Sequence, residues 1–176
     1  MIFPAKRLPS LVMSLDRRPF EDDELTVDLE VIASATERAD LVVLPERIRE
    51  RGDSVKIAPV RREARDLQRF AHENGRTVAF AIPDGVETAA YEEHAAALVL
   101  PIIVFGAGIA LNIGCNLVAS WIWEVWGPKS DPEDLVYVRL ARRLGDGSME
   151  MLEARGSVDD VVRILREPQL EPREED

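Results

Sequence analysis

The chain has few of the residues that usually build catalytic or metal sites. Cys115 is its only cysteine, and His72 and His94 are its only histidines. A lone cysteine cannot form an intrachain disulfide, so nothing indicates an oxidising compartment. A zinc site of four nitrogen or sulfur ligands cannot be filled from three such residues. We therefore predict no bound metal.

Motifs of the common enzyme classes are also missing. No serine stands in a Gly-x-Ser-x-Gly elbow, and no glycine-rich phosphate loop ends in Lys and Ser or Thr. We expect Cys115 to be buried among Ile113, Leu117 and Val118, and a buried thiol has a raised pKa and low reactivity. We expect it to fill space rather than act as a nucleophile. The sequence predicts a protein that is not an enzyme and binds no cofactor.

Positive charge is scarce in this acidic protein. There are 22 basic and 33 acidic side chains, which gives a net charge of −11. Such a charge repels phosphate backbones, so we predict no nucleic-acid partner. The exception is a group of arginines that we expect to form a solvated basic face, namely Arg61, Arg62, Arg65 and Arg69.

Apolar periodicity and turn residues predict a mixed α+β fold with a strand-helix-strand unit. Short strands are expected at residues 41–44 and 55–58, a helix near 64–71, and a further strand from 78 to 82. A right-handed crossover would make the strands on either side of that helix parallel. Before this unit, the pattern of residues 22–38 predicts a helix behind an acidic run, although residues 25–31 also alternate like a strand.

The last part of the chain predicts a hairpin and a helix. Alternating apolar residues at 136–140 and 149–151 flank the turn at 145–147, and Ser157 is placed to cap a following helix that ends before Pro168. The predicted organisation has four parts: an N-terminal α/β part at 1–94, an apolar helix at 95–123, a hairpin and helix at 132–168 that pack on the N-terminal part, and a tail at 169–176.

The apolar segment is the dominant feature of the sequence. No charged residue occurs from Ala95 to Trp123, and a bilayer core of roughly 30 Å needs about 20 helical residues. Trp121, Trp123 and Trp126 cluster at its end like the aromatic belt of a membrane interface. We therefore predict a single transmembrane or membrane-seeking helix. We expect no export signal, and a location at the inner (cytoplasmic) membrane or in the cytoplasm with membrane association.

Two other interpretations of this segment remain open. It can be a buried core helix of a soluble oligomer, shortened by Pro101, Gly106 and Gly114. It can also begin a nucleotide-binding enzyme, because residues 102–108 match the strand and first two glycines of a dinucleotide-binding fingerprint. Leu111 then occupies the place of the third glycine, where a side chain obstructs close packing of helix and strand.

Small and polar residues recur at every fourth position of the predicted helix: Gly108, Asn112, Asn116 and Ser120. This spacing keeps them in line on one face. In lipid or in a protein core, the amides of such a stripe need a partner helix to satisfy them. The stripe therefore predicts a helix-helix contact and a homo-oligomer.

The last third of the chain resembles a bacterial protein family. An apolar, Gly-containing segment precedes a charged hairpin with Asp146-Gly147, and the run at 156–162 reads Gly-Ser-Val-Asp-Asp-Val-Val. This pattern is similar to that of effector-associated constant components, which are accessory proteins of bacterial conflict and defence systems. Together with the apolar segment, it leads us to predict a non-enzymatic, membrane-associated accessory or effector protein, in which the α+β part senses a protein partner and the apolar helix inserts or oligomerises. A soluble oligomeric scaffold or adaptor is the alternative.

Overall fold

The structure is a computed structural model that describes residues 16–20, 25–52, 55–91, 97–131 and 133–167. The helices of this part are α1 (Leu29–Thr36), α2 (Arg62–Glu73), α3 (Leu111–Trp126) and α4 (Val158–Arg166). Its strands are β1 (Asp16–Pro19), β2 (Leu41–Val43), β3 (Arg49–Arg51), β4 (Val55–Arg61), β5 (Val78–Phe80), β6 (Val86–Tyr91), β7 (Ala97–Val99), β8 (Ile103–Phe105), β9 (Leu135–Arg143) and β10 (Met149–Ser157). This composition confirms the α+β class.

The main sheet mixes parallel and antiparallel strands in the order β1-β10-β9-β8-β2-β5, and β7 also pairs with β9. β9 is antiparallel to β10 and parallel to β8, whereas β8 is antiparallel to β2. β3, β4 and β6 form a smaller sheet of their own. The hairpin and the N-terminal strands β2 and β5 therefore share one sheet.

Three helices cover one face of the main sheet, which we call the front face. Val138, Leu140 and Leu152 point to this face, are fully buried, and pack in one cluster with side chains of α2, α3 and α4. Alternation along the strands sends every second side chain there. This cluster is the larger of the two cores.

In the described part of the chain, one helix, α1, covers part of the opposite, back face. Ile32 and Ala35 of α1 pack against Val42, Val104 and Met151, which alternate with the front-face residues on β2, β8 and β10. The two faces of β8 are thus both buried, as expected for a central strand between two layers.

β7 and β8 form one interrupted strand along β9. Val99 lies opposite Tyr137 and Ile103 lies opposite Leu140. Between these two pairs the chain advances four residues from β7 to β8 but only three residues along β9. This is the count of a β-bulge, and it falls at Pro101, which has no N–H to donate to the ladder. The backbone N–H of Leu100 still donates to the carbonyl of Tyr137, at 3.0 Å.

The predicted single helix from Ala95 to Trp123 is wrong. The described part of this segment consists of β7, β8 and the greater part of α3. Among the described residues, no helix combines the length and apolar character needed to cross a bilayer, which overturns the membrane and transmembrane-helix predictions. Burial accounts for much of the missing charge, because β8 is buried on both faces and the inner side of α3 is buried on the sheet.

The other predicted elements have mixed outcomes. α1 begins at Leu29 rather than near residue 22, and the acidic run 21–24 lies outside the described residues. α2 lies where it was predicted, but its following strand β5 runs parallel to β2. β4, directly before α2, instead pairs in parallel with β6 in the smaller sheet.

Local signals near the C-terminus predicted their elements correctly. β9 and β10 form the expected antiparallel hairpin, and Gly147 in its turn has a φ of +88°, a conformation that favours glycine. The hydroxyl of Ser157 accepts a hydrogen bond from the backbone N–H of Asp160 at 3.2 Å and caps α4.

Candidate functional site

Helix α3 has an inner side that fits closely against the front face. Cys115, Val118 and Ile122 are fully buried. Gly114 lies over the ring of Phe105, where an added Cβ would approach a ring carbon to 2.8 Å. This close approach fixes the orientation of the helix and therefore determines which side chains point outward.

As far as Trp123, the outward side chains of α3 are uncharged and form a surface that we call the outer face: Asn112, Ile113, Asn116, Leu117, Ser120 and Trp123. The exposed Glu124 marks its charged C-terminal end. Ile113 is 44% exposed and Trp123 is 41% exposed, two of the four large apolar side chains that are exposed in the described part of the chain. Leu117 and Ser120 are half-buried. An uncharged helix patch with exposed apolar side chains marks a candidate interaction site.

The predicted stripe of small and polar residues maps mostly onto this outer face. Asn112 and Asn116 are exposed and Ser120 is half-buried, so these three do share one side of the helix. Gly108 lies before the helix, in the exposed loop between β8 and α3. The side chain of Asn116 makes no hydrogen bond to any described residue. The predicted helix-helix contact remains a prediction, now for a partner outside the fold.

The three tryptophans occupy different environments. Trp121 is 1% exposed and packs edge-on against Trp126, with ring centroids 5.0 Å apart and an interplanar angle of 77°. Trp123 covers Gly127, where an added Cβ would meet the indole at 2.5 Å. Of the three, only Trp123 is exposed, because Trp121 is buried and Trp126 is half-buried.

Cys115 has the environment that the sequence indicated. Its side chain is fully buried in the front-face core, and this burial raises the pKa of the thiol to about 12, against smaller opposing effects of Arg17 and Arg142. A thiol with such a pKa is protonated at neutral pH and is a poor nucleophile.

The loop that resembles a dinucleotide-binding fingerprint adjoins a cleft of about 450 Å³. The backbone N–H of Gly106 donates to the carbonyl of Asp40 at 2.8 Å, and that of Ala107 donates to the carbonyl of Thr36 at 3.3 Å. These two amides are thus used within the protein rather than directed at a phosphate. Moreover, β8 is antiparallel to its neighbour β2, unlike the strands of a dinucleotide-binding sheet.

The histidines do not form a recognisable site in the described residues. His72 is exposed in the last turn of α2, and Glu92, Glu93 and His94 lie outside the described ranges. Within those ranges, no cluster of His, Cys, Asp and Glu is arranged to hold a metal ion.

A hydrogen-bonded network occupies the back face of the hairpin. Glu153 accepts hydrogen bonds from the hydroxyl of Tyr137 at 2.9 Å and from Nη2 of Arg18 at 2.8 Å. Burial raises the pKa of Tyr137, and the hydrogen bond and negative charge of Glu153 raise it further. Glu153 thus holds the side chains of Tyr137 and Arg18 against the back face of the sheet.

A second polar cluster joins β4, β6 and the loop after β2. Arg61 donates to both carboxylate oxygens of Glu46, and the hydroxyl of Tyr91 also donates to Glu46. The Arg61 side chain is only 10% exposed. It therefore turns away from the predicted basic face of α2, whose other members Arg62, Arg65 and Arg69 are exposed.

Between these two clusters lies a cleft of about 280 Å³, which we call the arginine cleft. It is lined by Thr26, Leu44, Pro45, Glu46, Arg61, Val99, Ile102 and Arg139. The cleft was not predictable from the sequence. Alternation along β9 places Arg139 on the face opposite to the buried Val138 and Leu140, but no sequence signal indicates that residues 26, 46 and 61 meet it.

No family model, curated protein or solved structure matches the chain. The resemblance of its last third to effector-associated constant components therefore stays a prediction. The outer face of α3 and the arginine cleft are the two surfaces whose exposure and charge point to a partner or a ligand.

Proposed function

We propose that this chain is a non-enzymatic scaffold or adaptor that self-associates through the outer face of α3. The main supporting observation is the exposure of Ile113 and Trp123, at 44% and 41%, on a helix face that carries no charge as far as Glu124. Association of two copies removes these apolar side chains from water, which contributes about 25 cal/mol for each Å² buried.

The charge of the chain favours this particular surface. Each copy carries a net charge of −11, so two copies repel each other unless they meet through a neutral patch. The first charged residue beyond the outer face toward the C-terminus is Glu124. A contact centred on Asn116 keeps like charges away from its middle.

Amides also suit a symmetric contact. In a two-fold interface, a residue near the axis meets its own counterpart, and a side chain that is both donor and acceptor can pair with itself. Asn116 meets this condition, whereas a lysine or glutamate in its place would face a like charge. The exposed Asn116 therefore favours a second copy of this chain as the partner that binds the outer face.

The length of α3 limits the strength of the contact. A helix of 16 residues is about 24 Å long, and one such face supplies only part of a standard interface of about 800 Å² per partner. We expect a dimer with a dissociation constant on the order of micromolar.

Sedimentation velocity over a wide concentration range tests this proposal. The intact protein should pass from monomer to dimer across roughly micromolar concentrations. Ile113→Glu should weaken the dimer about tenfold or more, because it introduces two like charges into an apolar contact. As a matched control, Leu29→Glu alters a residue that is 50% exposed on α1, behind the sheet, and should leave association unchanged.

A protein that stays monomeric at all concentrations would contradict the proposal. Equal weakening by both substitutions would also contradict it, because the effect would then follow charge and not location.

The resemblance to effector-associated constant components supports an accessory role in bacterial defence, in which such self-association would bring bound partner proteins together.

A further inference from the structure

Arg139 is a cation without a matching acid in the described part of the chain. Its side chain lines the arginine cleft, and its Nε is buried with no hydrogen-bond acceptor. Its guanidinium carbon lies 5.6 Å from the ring centroid of Tyr137, within range for a cation-π contact. That contact holds the group in place but does not supply an acceptor.

Two acids beside Arg139 accept hydrogen bonds from other donors. Glu153 lies opposite Arg139 in the ladder between β9 and β10, and its Oε1 accepts from Arg18 and Tyr137. Glu46 lines the same cleft and accepts from Arg61 and Tyr91. The described side chains of the cleft therefore include two arginines and one carboxylate, an excess of one positive charge.

An unmatched guanidinium in a partly buried site is unfavourable for the folded chain alone. Burying a charged donor without an acceptor costs more free energy than burying a neutral donor without one. An oxyanion offsets that cost, since guanidinium groups bind carboxylate and phosphate through paired, charge-assisted hydrogen bonds.

We infer that the arginine cleft binds a small ligand through a carboxylate or phosphate group, with Arg139 as its main charged contact. The volume of about 280 Å³ fits a ligand of metabolite size rather than a macromolecule. Leu44, Val99 and Ile102 provide an apolar wall beside the charged groups. The ligand thus carries one anionic group on a compact apolar body. This site is separate from the outer face of α3 and does not depend on it.

Titration with simple anions tests the inference directly. The side-chain Nε–H signal of Arg139 is followed by NMR while sodium phosphate or sodium acetate replaces sodium chloride at constant ionic strength. A saturable shift with phosphate, with acetate or with both supports the site, and the comparison distinguishes the two anionic groups. The net charge of −11 disfavours general anion binding, so saturation is informative.

Two variants separate ligand binding from a structural role. Arg139→Met should abolish the rise in melting temperature that the active anion gives the intact protein, and should not lower the melting temperature without anion. Arg139→Lys keeps the charge but lacks the planar fork, and should bind about tenfold more weakly. Arg69→Gln, which removes a mostly exposed arginine on α2, should respond as the intact protein does.

Three results would overturn the inference. One is a shift that does not saturate, or that chloride reproduces, because it would show general screening only. Another is an anion response that survives in Arg139→Met. The third is a fall in melting temperature for Arg139→Met in anion-free buffer with no anion effect in the intact protein, which would make Arg139 a purely structural residue.

Discussion

The two faces of the main sheet are built on different principles. At the centre of the front face, apolar side chains of β8, β9 and β10 are sealed under three helices. The back face is apolar only under α1, and beside α1 it carries Arg18, Tyr137, Arg139 and Glu153 on neighbouring positions of the hairpin and β1. The same strands thus supply a dry core on one side and a polar network on the other.

This difference separates stability from recognition within one sheet. Front-face packing depends on volume and burial, and it orients α3 so that its uncharged outer face is exposed. Back-face polar groups need individual partners, and most of them have one. Arg139 lacks one in the described chain, which is the reason to expect a ligand on the back face and a protein contact on the front.

The largest loss of stability should come from a substitution in the loop after β8, where the chain passes close to the end of α1. Gly106 follows β8 and lies against the end of α1, where an added Cβ would fall 1.9 Å from the carbonyl oxygen of Ala39. Gly106→Ala must therefore displace backbone and should lower the free energy of unfolding by about 3 kcal/mol or more. Urea denaturation followed by circular dichroism measures this.

Gly108 provides a control in the same loop. An added Cβ there meets nothing within 4 Å, so Gly108→Ala should change stability by less than about 0.5 kcal/mol. A similar loss in both variants would show that the close approach of the two layers at Gly106 is not what the loop requires.

A smaller effect should follow from disturbing the back face alone. Glu153→Gln keeps the shape but removes the charge that Arg18 and Tyr137 contact, and should reduce stability by about 1 kcal/mol. This figure is modest because the Arg18 side chain is 31% exposed and its ion pair is partly screened. Thermal denaturation at neutral pH measures the loss.

The same variant should alter the behaviour of Tyr137 at high pH. The folded protein holds the pKa of Tyr137 above 10.0, chiefly through burial and further through Glu153. Stability linked to this group is therefore complete below pH 10 and is lost as pH rises through the folded pKa. Glu153→Gln should bring that pKa closer to 10.0, as ultraviolet titration would show. An unchanged titration would mean that Glu153 does not act on Tyr137.

Elements with local signals were predictable from the sequence, and elements defined by distant contacts were not. The hairpin turn at Gly147 and the cap at Ser157 depend on residues within a few positions, and both form as predicted. β5 pairs with β2, whereas β4, which is nearer in sequence, pairs with β6. The sequence does not indicate which of β2 and β4 is the partner of β5.

The apolar segment shows why composition alone misled. An uncharged run is expected of a transmembrane helix, but it is equally expected of a central strand followed by a core helix. Pro101 and the loop at Gly106 and Gly108 were the signals for the second arrangement. The outer face was partly predictable from the spacing of Asn112 and Asn116, whereas the arginine cleft required the tertiary structure.

Oxidative crosslinking through the outer face tests the central claim most directly. Asn116→Cys places a thiol at the centre of that face, and the native Cys115 does not interfere because it is buried with a pKa of about 12. If two copies meet there, Asn116→Cys should form a disulfide-linked dimer rapidly at micromolar concentration, while Leu29→Cys on α1 should remain largely monomeric. Equal rates for the two variants would contradict self-association through α3.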